Sequence, residues 1–144
     1  RYLVRSRGLG DVYKRQGLNE QYFGSWEGKV VDTLREHLEF KQLIKDPANY
    51  KAQVNGGETF EQLGERAIKA LQDIIKIHDQ GNILIVSHGH TLRLLLALLN
   101  GATWQNHRDE DKSVSLINTS ISVVHYDDEN GFRVEKMNDA DHLK

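Results

Sequence analysis

The sequence has no cysteine, which excludes disulfides, thiolate nucleophiles and cysteine-based zinc sites. Proline is almost absent as well, since Pro47 is its one instance. The longest apolar run extends only from Leu94 to Leu99, and this is far too short to cross a bilayer. No stretch has the apolar segment of a signal peptide. These features fit a cytoplasmic protein and predict no membrane partner.

The sequence also lacks an excess of charge of either sign. Its net charge is −2 and its pI is about 6.4. Such a balance gives no general attraction to nucleic acid, so we expect no nucleic-acid partner. A negatively charged substrate would therefore need a local positive site. The 144 residues correspond to about one domain.

Residues 1–16 differ in composition from everything that follows. They are rich in arginine, contain Asp11 as their single acidic residue and show no steady periodicity. We interpret 1–16 as a non-native, adapter-derived segment joined to a folded unit over 17–144. A genuine basic tail is the alternative interpretation.

Two amphipathic helices are predicted in the first half of the folded unit. Apolar residues recur every four positions within 27–45, and the helix predicted there ends before Pro47. A second helix is predicted to begin at Thr59, where Gln62 three residues later completes a capping box. Gly81 supplies the left-handed position expected at its end.

The second half of the chain predicts a buried strand, a buried helix and a hairpin. The apolar, β-branched run at 83–87 is typical of a strand buried on both faces, and 92–99 is typical of a buried helix. Alternating segments at 120–126 and 132–137, joined by a turn with Asn130-Gly131, indicate a hairpin that extends the same sheet. Helix, buried strand and helix in this order predict an α/β fold with a parallel sheet.

The stretch Val86-Ser87-His88-Gly89-His90-Thr91 lies where the predicted strand gives way to a helix. Ligands of open α/β sheets bind at such strand ends, and the helix N-terminus there is suited to phosphate. Gly89 allows close backbone approach, and His88 can donate a hydrogen bond to a phosphoryl oxygen. His88 could instead only cap the helix or lie satisfied in the core. The spacing of His88 and His90 is weak evidence for a metal, so we predict none and expect His90 on the surface or in packing.

The second informative stretch extends from Leu18 to Gly28. It holds two carboxylates, two glycines and three aromatic residues in a short segment with the character of a loop. Apolar rings beside a carboxylate raise its pKa, which suits a general acid. The alternative is a solvated loop whose aromatic rings fill the core, and residue types alone favour that alternative.

Together these stretches resemble one family, the histidine phosphatase superfamily, which includes the cofactor-dependent phosphoglycerate mutases. The resemblance covers most of residues 18–143 and rests on several motifs that follow one another in the family's order. These are Leu18-Asn19-Glu20, Phe23-Gly24, Trp26-Glu27-Gly28, Gly57-Glu58-Thr59, Val86-Ser87-His88-Gly89, Asn118-Thr119-Ser120-Ile121-Ser122, Asn138 and His142-Leu143.

The resemblance implies a three-layer, phosphoglycerate-mutase-like sandwich with a mostly parallel sheet. It also implies a reaction in which a histidine takes the phosphoryl group and then passes it to water or to an acceptor. By position, Glu20 resembles the residue that protonates the leaving group, and His88 resembles a second histidine that holds phosphoryl oxygens. Gly89 would lend its backbone to phosphate binding.

The resemblance also suggests supporting residues. Glu58 resembles the acid that opens a helix in this family, and Trp26 and Asn118 are expected to support the site. No metal and no cofactor is implied.

One departure from the family concerns the nucleophile. The family carries it in an Arg-His-Gly motif at the end of the first strand, and this sequence has no such motif. Residues 3–6 resemble that strand end, but Ser6 stands where the histidine belongs. We therefore expect a domain whose first strand is missing and which is inactive as it stands.

The resemblance implies hydrolysis of phosphomonoesters, with a phosphorylated small molecule as the partner. The segment Gly24–Gly28 and the short interval from Gly28 to Gly57 favour a phosphatase over a phosphoglycerate mutase, which is the alternative within the family. A non-catalytic module that binds a phosphorylated ligand or a protein is the alternative outside it.

Overall fold

The computed structural model describes residues 12–144, and these form three α-helices followed by one β-hairpin. The prediction that 1–16 is non-native concerns mostly residues 1–11, which lie outside the described residues. The resemblance of residues 3–6 to the end of the family's first strand also lies outside them. The helices are α1 (Leu38–Lys45), α2 (Phe60–Ile77) and α3 (Gly89–Leu99), and the strands are β1 (Ile121–Asp127) and β2 (Gly131–Asp139). Short 3-10 turns occur at Gln16–Leu18, Gly24–Trp26, Val31–Thr33 and Asp141–Leu143.

Helix α2 begins as its sequence predicts. The backbone N–H of Gln62 donates to the Thr59 hydroxyl at 3.3 Å, and the N–H of Thr59 donates to the Gln62 side chain at 3.0 Å, so the capping box is confirmed. The helix ends at Ile77, earlier than expected, because His78 already has extended geometry. Gly81 does adopt the left-handed region, with φ at +102°, but in the loop that follows.

Helix α3 is also confirmed, and it begins at Gly89 directly after His88. Its residues from Leu94 to Ala97, which point to all sides of the helix, are buried. On one side it packs against α2, where a Cβ at Gly64 would lie 3.3 Å from the Leu98 side chain. On another side it meets the hairpin, so α3 is the central element of the described core.

The helix predicted over 27–45 is much shorter in the structure. Only Leu38–Lys45 is α-helical, and it follows an irregular segment that contains one 3-10 turn. Val30 and Leu38 remain exposed, so their four-residue spacing to Leu34 does not mark a buried helical face. Periodicity without burial gave a wrong prediction here.

The prediction of a buried strand at 83–87 is wrong for the described structure. The segment is not helical and pairs with no strand within residues 12–144. Leu84 is 72% exposed and Val86 is 84% exposed, while Ile85 packs against the cluster between α2 and α3. A strand needs a neighbour to accept its hydrogen bonds, and the described residues provide none for this segment.

The hairpin is confirmed, with Gly131 at φ +68° in its turn. Tyr126 lies opposite Phe132, and the register shifts twice nearer the open end of the hairpin. Within residues 12–144 its two antiparallel strands pair only with each other, so the hairpin does not extend a parallel sheet there. None of the helices in this part of the chain is both long enough and apolar enough to pass through a bilayer.

Candidate active site

Two loop segments form the floor of the site, residues 17–28 and residues 52–59, and we call them the paired loops. The N–H of Glu58 donates to the Tyr22 carbonyl at 2.7 Å, and the N–H of Ser25 donates to the Asn55 carbonyl at 2.8 Å. Gly24 has φ at +55°, and a Cβ there would lie 1.9 Å from the Asn55 oxygen. Only glycine permits this approach of the two backbones.

Arg66, on the inner face of α2, fastens the first of these loops. Its Nε and one terminal nitrogen donate to the two oxygens of Glu58 at 2.5 and 2.8 Å. The remaining hydrogen bonds go to the carbonyls of Gly17, Asn19 and Glu20 at 2.8 to 3.0 Å. One guanidinium therefore fixes both the Glu58 carboxylate and the backbone that carries Glu20.

The Glu20 carboxylate lies on the N-terminus of α3. It accepts hydrogen bonds from the backbone N–H groups of His90 at 3.1 Å and Thr91 at 3.0 Å. It also accepts one from the N–H of Gln21 at 2.9 Å. The first turn of a helix has unpaired N–H groups and a partial positive charge, so an anion is stabilised there. In this structure Glu20 supplies that anion.

This environment changes the expected protonation of Glu20. Burial raises the pKa of Glu20, but the hydrogen bonds from Gln21, His90 and Thr91 together bring it below its ordinary value of 4.5. The sequence-based expectation of a raised pKa is therefore wrong for the described state. Aromatic neighbours favour a raised pKa, whereas the backbone donors of Gln21, His90 and Thr91 decide the direction of the shift in the structure.

His88 precedes α3 as its N-cap residue and is exposed. Its side chain makes no capping hydrogen bond, so the alternative that His88 only caps the helix is wrong for this structure. Gly89 follows, and a Cβ at that position would lie 4.0 Å from Glu20 Oε2. The structure thus brings Glu20 to the neighbouring pair His88 and Gly89, from which it is far apart in sequence.

His90 is packed inward, which is one of the two placements that the sequence predicts for it, the other being the surface. Its Nδ1 lies 2.9 Å from Gln21 Oε1, and its ring meets those of Phe23 and Phe60. Burial and the positive charge of Arg108 lower the pKa of His90 to about 4, although Glu20 acts against this. His90 is therefore a neutral hydrogen-bonding group beside Glu20 at physiological pH.

Three residues near the site were not predicted from the sequence: Arg93, His107 and Arg108. His107 is fully buried, with Nδ1 2.8 Å from the Trp104 carbonyl, and Arg108 Nε donates to its Nε2 at 3.3 Å. The segment 102–119 that holds two of them is polar and shows no periodicity in sequence. Its composition gave no signal that one histidine and one arginine would fold inward against Phe60.

The three residues expected to support the site differ in how they are connected to Glu20 and His88. Glu58 takes part through Arg66, as described above. Trp26 is buried and packs edge-to-face on Phe40, so it anchors the first of the paired loops in the hydrophobic core. Asn118 lies exposed in the segment before β1, and the structure joins it to none of the other candidate residues by a hydrogen bond within the described part of the chain.

An open cleft of about 390 Å³ lies beside Glu20. Gln21, Phe23 and Glu27 line it together with Glu58 and Arg66. In the described part of the chain no three His, Asp or Glu side chains are grouped so that they could hold a metal ion. The N–H groups of His90 and Thr91 are taken by Glu20, so the groups exposed to an oxyanion at this helix N-terminus are the imidazole of His88 and the backbone of Gly89, beside the Glu20 carboxylate.

Comparison with known proteins places these features in a family. The sequence model of "Histidine phosphatase superfamily (branch 1)" matches residues 2–140. A metal-independent phosphoserine phosphatase of Arabidopsis thaliana is 28% identical over 92% of this chain and 52% of its own length. A probable phosphoglycerate mutase GpmB of Salmonella paratyphi B is 29% identical over 92% of this chain and 62% of its own length.

A solved structure supports the same relationship. Bacillus stearothermophilus YhfR superposes with a TM-score of 0.82 at 29% identity, over 92% of this chain and 63% of the other. The α/β character of the fold follows from this match. The chain spans about half to three-fifths of the length of these curated relatives. The resemblance drawn from its motifs is confirmed, and the chain belongs to branch 1 of the histidine phosphatase superfamily, a superfamily of phosphoryl-transfer enzymes.

Proposed function

We propose that the whole protein hydrolyses phosphomonoesters of small molecules through a phosphohistidine intermediate, and that this chain supplies its proton-transfer and phosphate-binding groups. Membership of the superfamily supports the reaction class. The observation that carries the proposal is the position of the Glu20 carboxylate on the α3 amides, next to exposed His88. A proton-transfer group and a phosphate-binding group are thereby adjacent.

Glu20 would act on the leaving group once substrate is bound. In the free protein its lowered pKa keeps it ionised. A phosphoryl dianion bound beside it is a like charge, and like charges raise the pKa of a carboxyl group. Glu20 would then hold the proton that an alkoxide leaving group needs.

His88 and Gly89 would bind the phosphoryl oxygens. The His88 ring is exposed and free to turn toward a ligand, and Gly89 opens the helix without a side chain in the way. Glu58 and Trp26 would support the site by holding the paired loops in place, through Arg66 and through core packing. For Asn118 we propose a supporting role on resemblance alone.

The substrate is proposed as a small phosphoester, with phosphoserine as the first compound to examine. Phosphoglycerate mutase activity is the second candidate, because a probable mutase is as similar to this chain as the phosphatase is. The two differ in the acceptor of the phosphoryl group, which is water in one case and a second hydroxyl in the other.

The first test is binding of phosphoserine to the 144-residue chain, measured by calorimetry. His88→Ala should weaken binding about tenfold or more, since a hydrogen bond to a charged group contributes about 1.5–3 kcal/mol. His125→Ala is the matched control, because His125 is exposed and pairs with Glu135 on the hairpin. Equal affinity of the wild type and His88→Ala would remove His88 from the phosphate site.

The second test is turnover. We expect no hydrolysis at an enzymatic rate by the chain as printed, because none of its seven histidines lies in an Arg-His-Gly sequence. Phosphate release from phosphoserine and interconversion of phosphoglycerates should both be measured, with and without EDTA. Rapid turnover that EDTA abolishes would overturn the phosphohistidine mechanism. Tight binding of a phosphoprotein but not of small phosphoesters would instead support a non-catalytic module.

A further inference from the structure

The side chain of Gln21 connects three segments of the candidate site. Gln21 follows Glu20 in the first of the paired loops, and its side chain is buried. Its Nε2 donates to the Glu58 carbonyl at 3.0 Å, in the second of the paired loops. Its Oε1 lies 2.9 Å from Nδ1 of His90, in the first turn of α3. A single amide therefore joins both paired loops to the helix on which Glu20 lies.

These contacts determine the orientation of the amide and the tautomer of His90. A carbonyl oxygen can only accept, so the NH₂ group of Gln21 must face Glu58, and Oε1 is left facing the ring. Because Oε1 also only accepts, Nδ1 of His90 must carry a hydrogen and donate it. A terminal nitrogen of Arg108 lies 3.5 Å from the same Nδ1, but it cannot donate to a nitrogen that already carries a hydrogen. His90 is therefore the Nδ1–H tautomer.

The acceptor and the ring are both uncharged. Burial and the charge of Arg108 lower the pKa of His90 to about 4; Glu20 acts against this shift and Arg93 adds to it. Burial likewise lowers the pKa of the neighbouring His107 to about 4. A carboxylate in place of the amide would favour the imidazolium form of His90, whereas an amide fixes the tautomer without that effect.

The bond between Gln21 and His90 closes a ring of contacts around Glu20. The backbone N–H of Gln21 donates to Glu20 Oε1 at 2.9 Å, and the backbone N–H of His90 donates to Glu20 Oε2 at 3.1 Å. The same two residues are joined to each other by their side chains. Two of the three backbone donors at the carboxylate, one on each oxygen, are thus held at a fixed separation.

We propose that Gln21 and His90 are positioning residues for Glu20, and that the hydrogen bond between their side chains holds the backbone donors on which its carboxylate lies. This inference rests on the proposed function, since the position of Glu20 matters there because it carries the proton of the leaving group. Neither residue has to touch the substrate. Without the side-chain bond the two donors can move apart, and the charged form of Glu20 loses part of its stabilisation.

Nitrogen NMR of the 144-residue chain tests the tautomer. Long-range nitrogen–proton correlation of the histidine rings at neutral pH should show His90 protonated at Nδ1 and not at Nε2. Gln21→Met keeps a similar volume and removes the amide, so Arg108 is then the polar neighbour of Nδ1. The hydrogen of His90 should therefore move to Nε2 in this variant. An Nε2–H tautomer in the wild type would overturn the inference.

Carbon NMR of the Glu20 carboxyl group tests the positioning. In the wild type, burial raises the pKa of Glu20 and its backbone donors bring it below 4.5. Gln21→Met and His90→Leu should each raise that pKa, because donors that are held less firmly offset burial less. His90→Asn should stay near the wild-type value, since its side-chain amide places an N–H close to the position of Nδ1. Gln72→Met, exposed on α2, is the matched control.

A Glu20 pKa that is the same in the wild type, Gln21→Met and His90→Leu would overturn the inference. A bond with only a structural role would lower the unfolding temperature and leave that pKa in place. Circular dichroism should confirm that each variant is folded; if Gln21→Met is not, the wild-type tautomer and the comparison of His90→Asn with His90→Leu decide the question. Titration of the wild type with phosphoserine reports on the proposed function separately, because the position of Glu20 is measured without any ligand.

Discussion

Replacing Glu20 by glutamine should weaken the attachment of the paired loops to α3, and in a pH-dependent manner. The carboxylate accepts hydrogen bonds from three backbone N–H groups, those of Gln21, His90 and Thr91. An amide keeps one acceptor oxygen but turns an NH₂ group toward a donor. The helix N-terminus also loses a negative charge.

The magnitude follows from the type of contact. Loss of a side-chain acceptor at a helix N-terminus costs about 0.5–2 kcal/mol, and loss of the charge there adds about 0.3–1 kcal/mol. We therefore expect Glu20→Gln to lower the free energy of unfolding at pH 7 by about 1–2 kcal/mol, allowing for partial exposure. Glu65→Gln, on the exposed face of α2, should change it by no more than about 0.5 kcal/mol.

The sign of the pH dependence gives the sharper test. Because the pKa of Glu20 is lowered in the folded protein, its contribution is fully present above the ordinary value of 4.5 and is lost as the pH falls through the folded pKa. Urea unfolding of the wild type and of Glu20→Gln should therefore converge as the solution is acidified below that value. A gap in stability that instead widens as the pH falls from 7 toward 4.5, and stays constant below that, would show that the pKa is raised, and would refute the reasoning.

Three further predictions concern the supporting structure. Thr59→Ala should lower the free energy of unfolding by about 1 kcal/mol, with Thr59→Ser near the wild type, because the hydroxyl caps α2. Arg66→Met should cost about 2–4 kcal/mol in the same urea assay, since it removes the five hydrogen bonds that the guanidinium donates to Glu58 and to three carbonyls; a loss below about 0.5 kcal/mol would contradict this. His90 and His107 should stay neutral down to about pH 4 by NMR titration, so folding stability falls as pH drops from 6.5 toward 4; a midpoint near 6.5 would refute their burial.

Local signals in the sequence were sufficient to predict three features of the fold. The capping box at Thr59, the apolar run of α3 and the turn at Gly131 each predict their structure because the determining contacts lie within a few residues. The segment 83–87 shows the limit. Its composition favours a strand, but pairing depends on a neighbouring strand, and composition does not supply one.

The site was predicted in part for the same reason. The helix N-terminus after His88 is a local feature and was found from the sequence. The direction of the Glu20 pKa depends on amides 70 residues away in the chain, and it was predicted in the wrong sense. The inward folding of Arg108 depends on packing against Phe60, for which a polar loop gives no indication.

The contact between the paired loops has a consequence for how this protein can vary. At Gly24 and Gly57 a single methyl group would meet backbone oxygens at 1.9 and 2.5 Å, so no other residue fits without separating the loops. Gly28 has open space around its α-carbon, although its φ of +73° still favours glycine. Tyr22, 58% exposed at the mouth of the cleft, has no such constraint. Sequence change that alters ligand preference should therefore accumulate at positions such as Tyr22, while both glycines stay fixed.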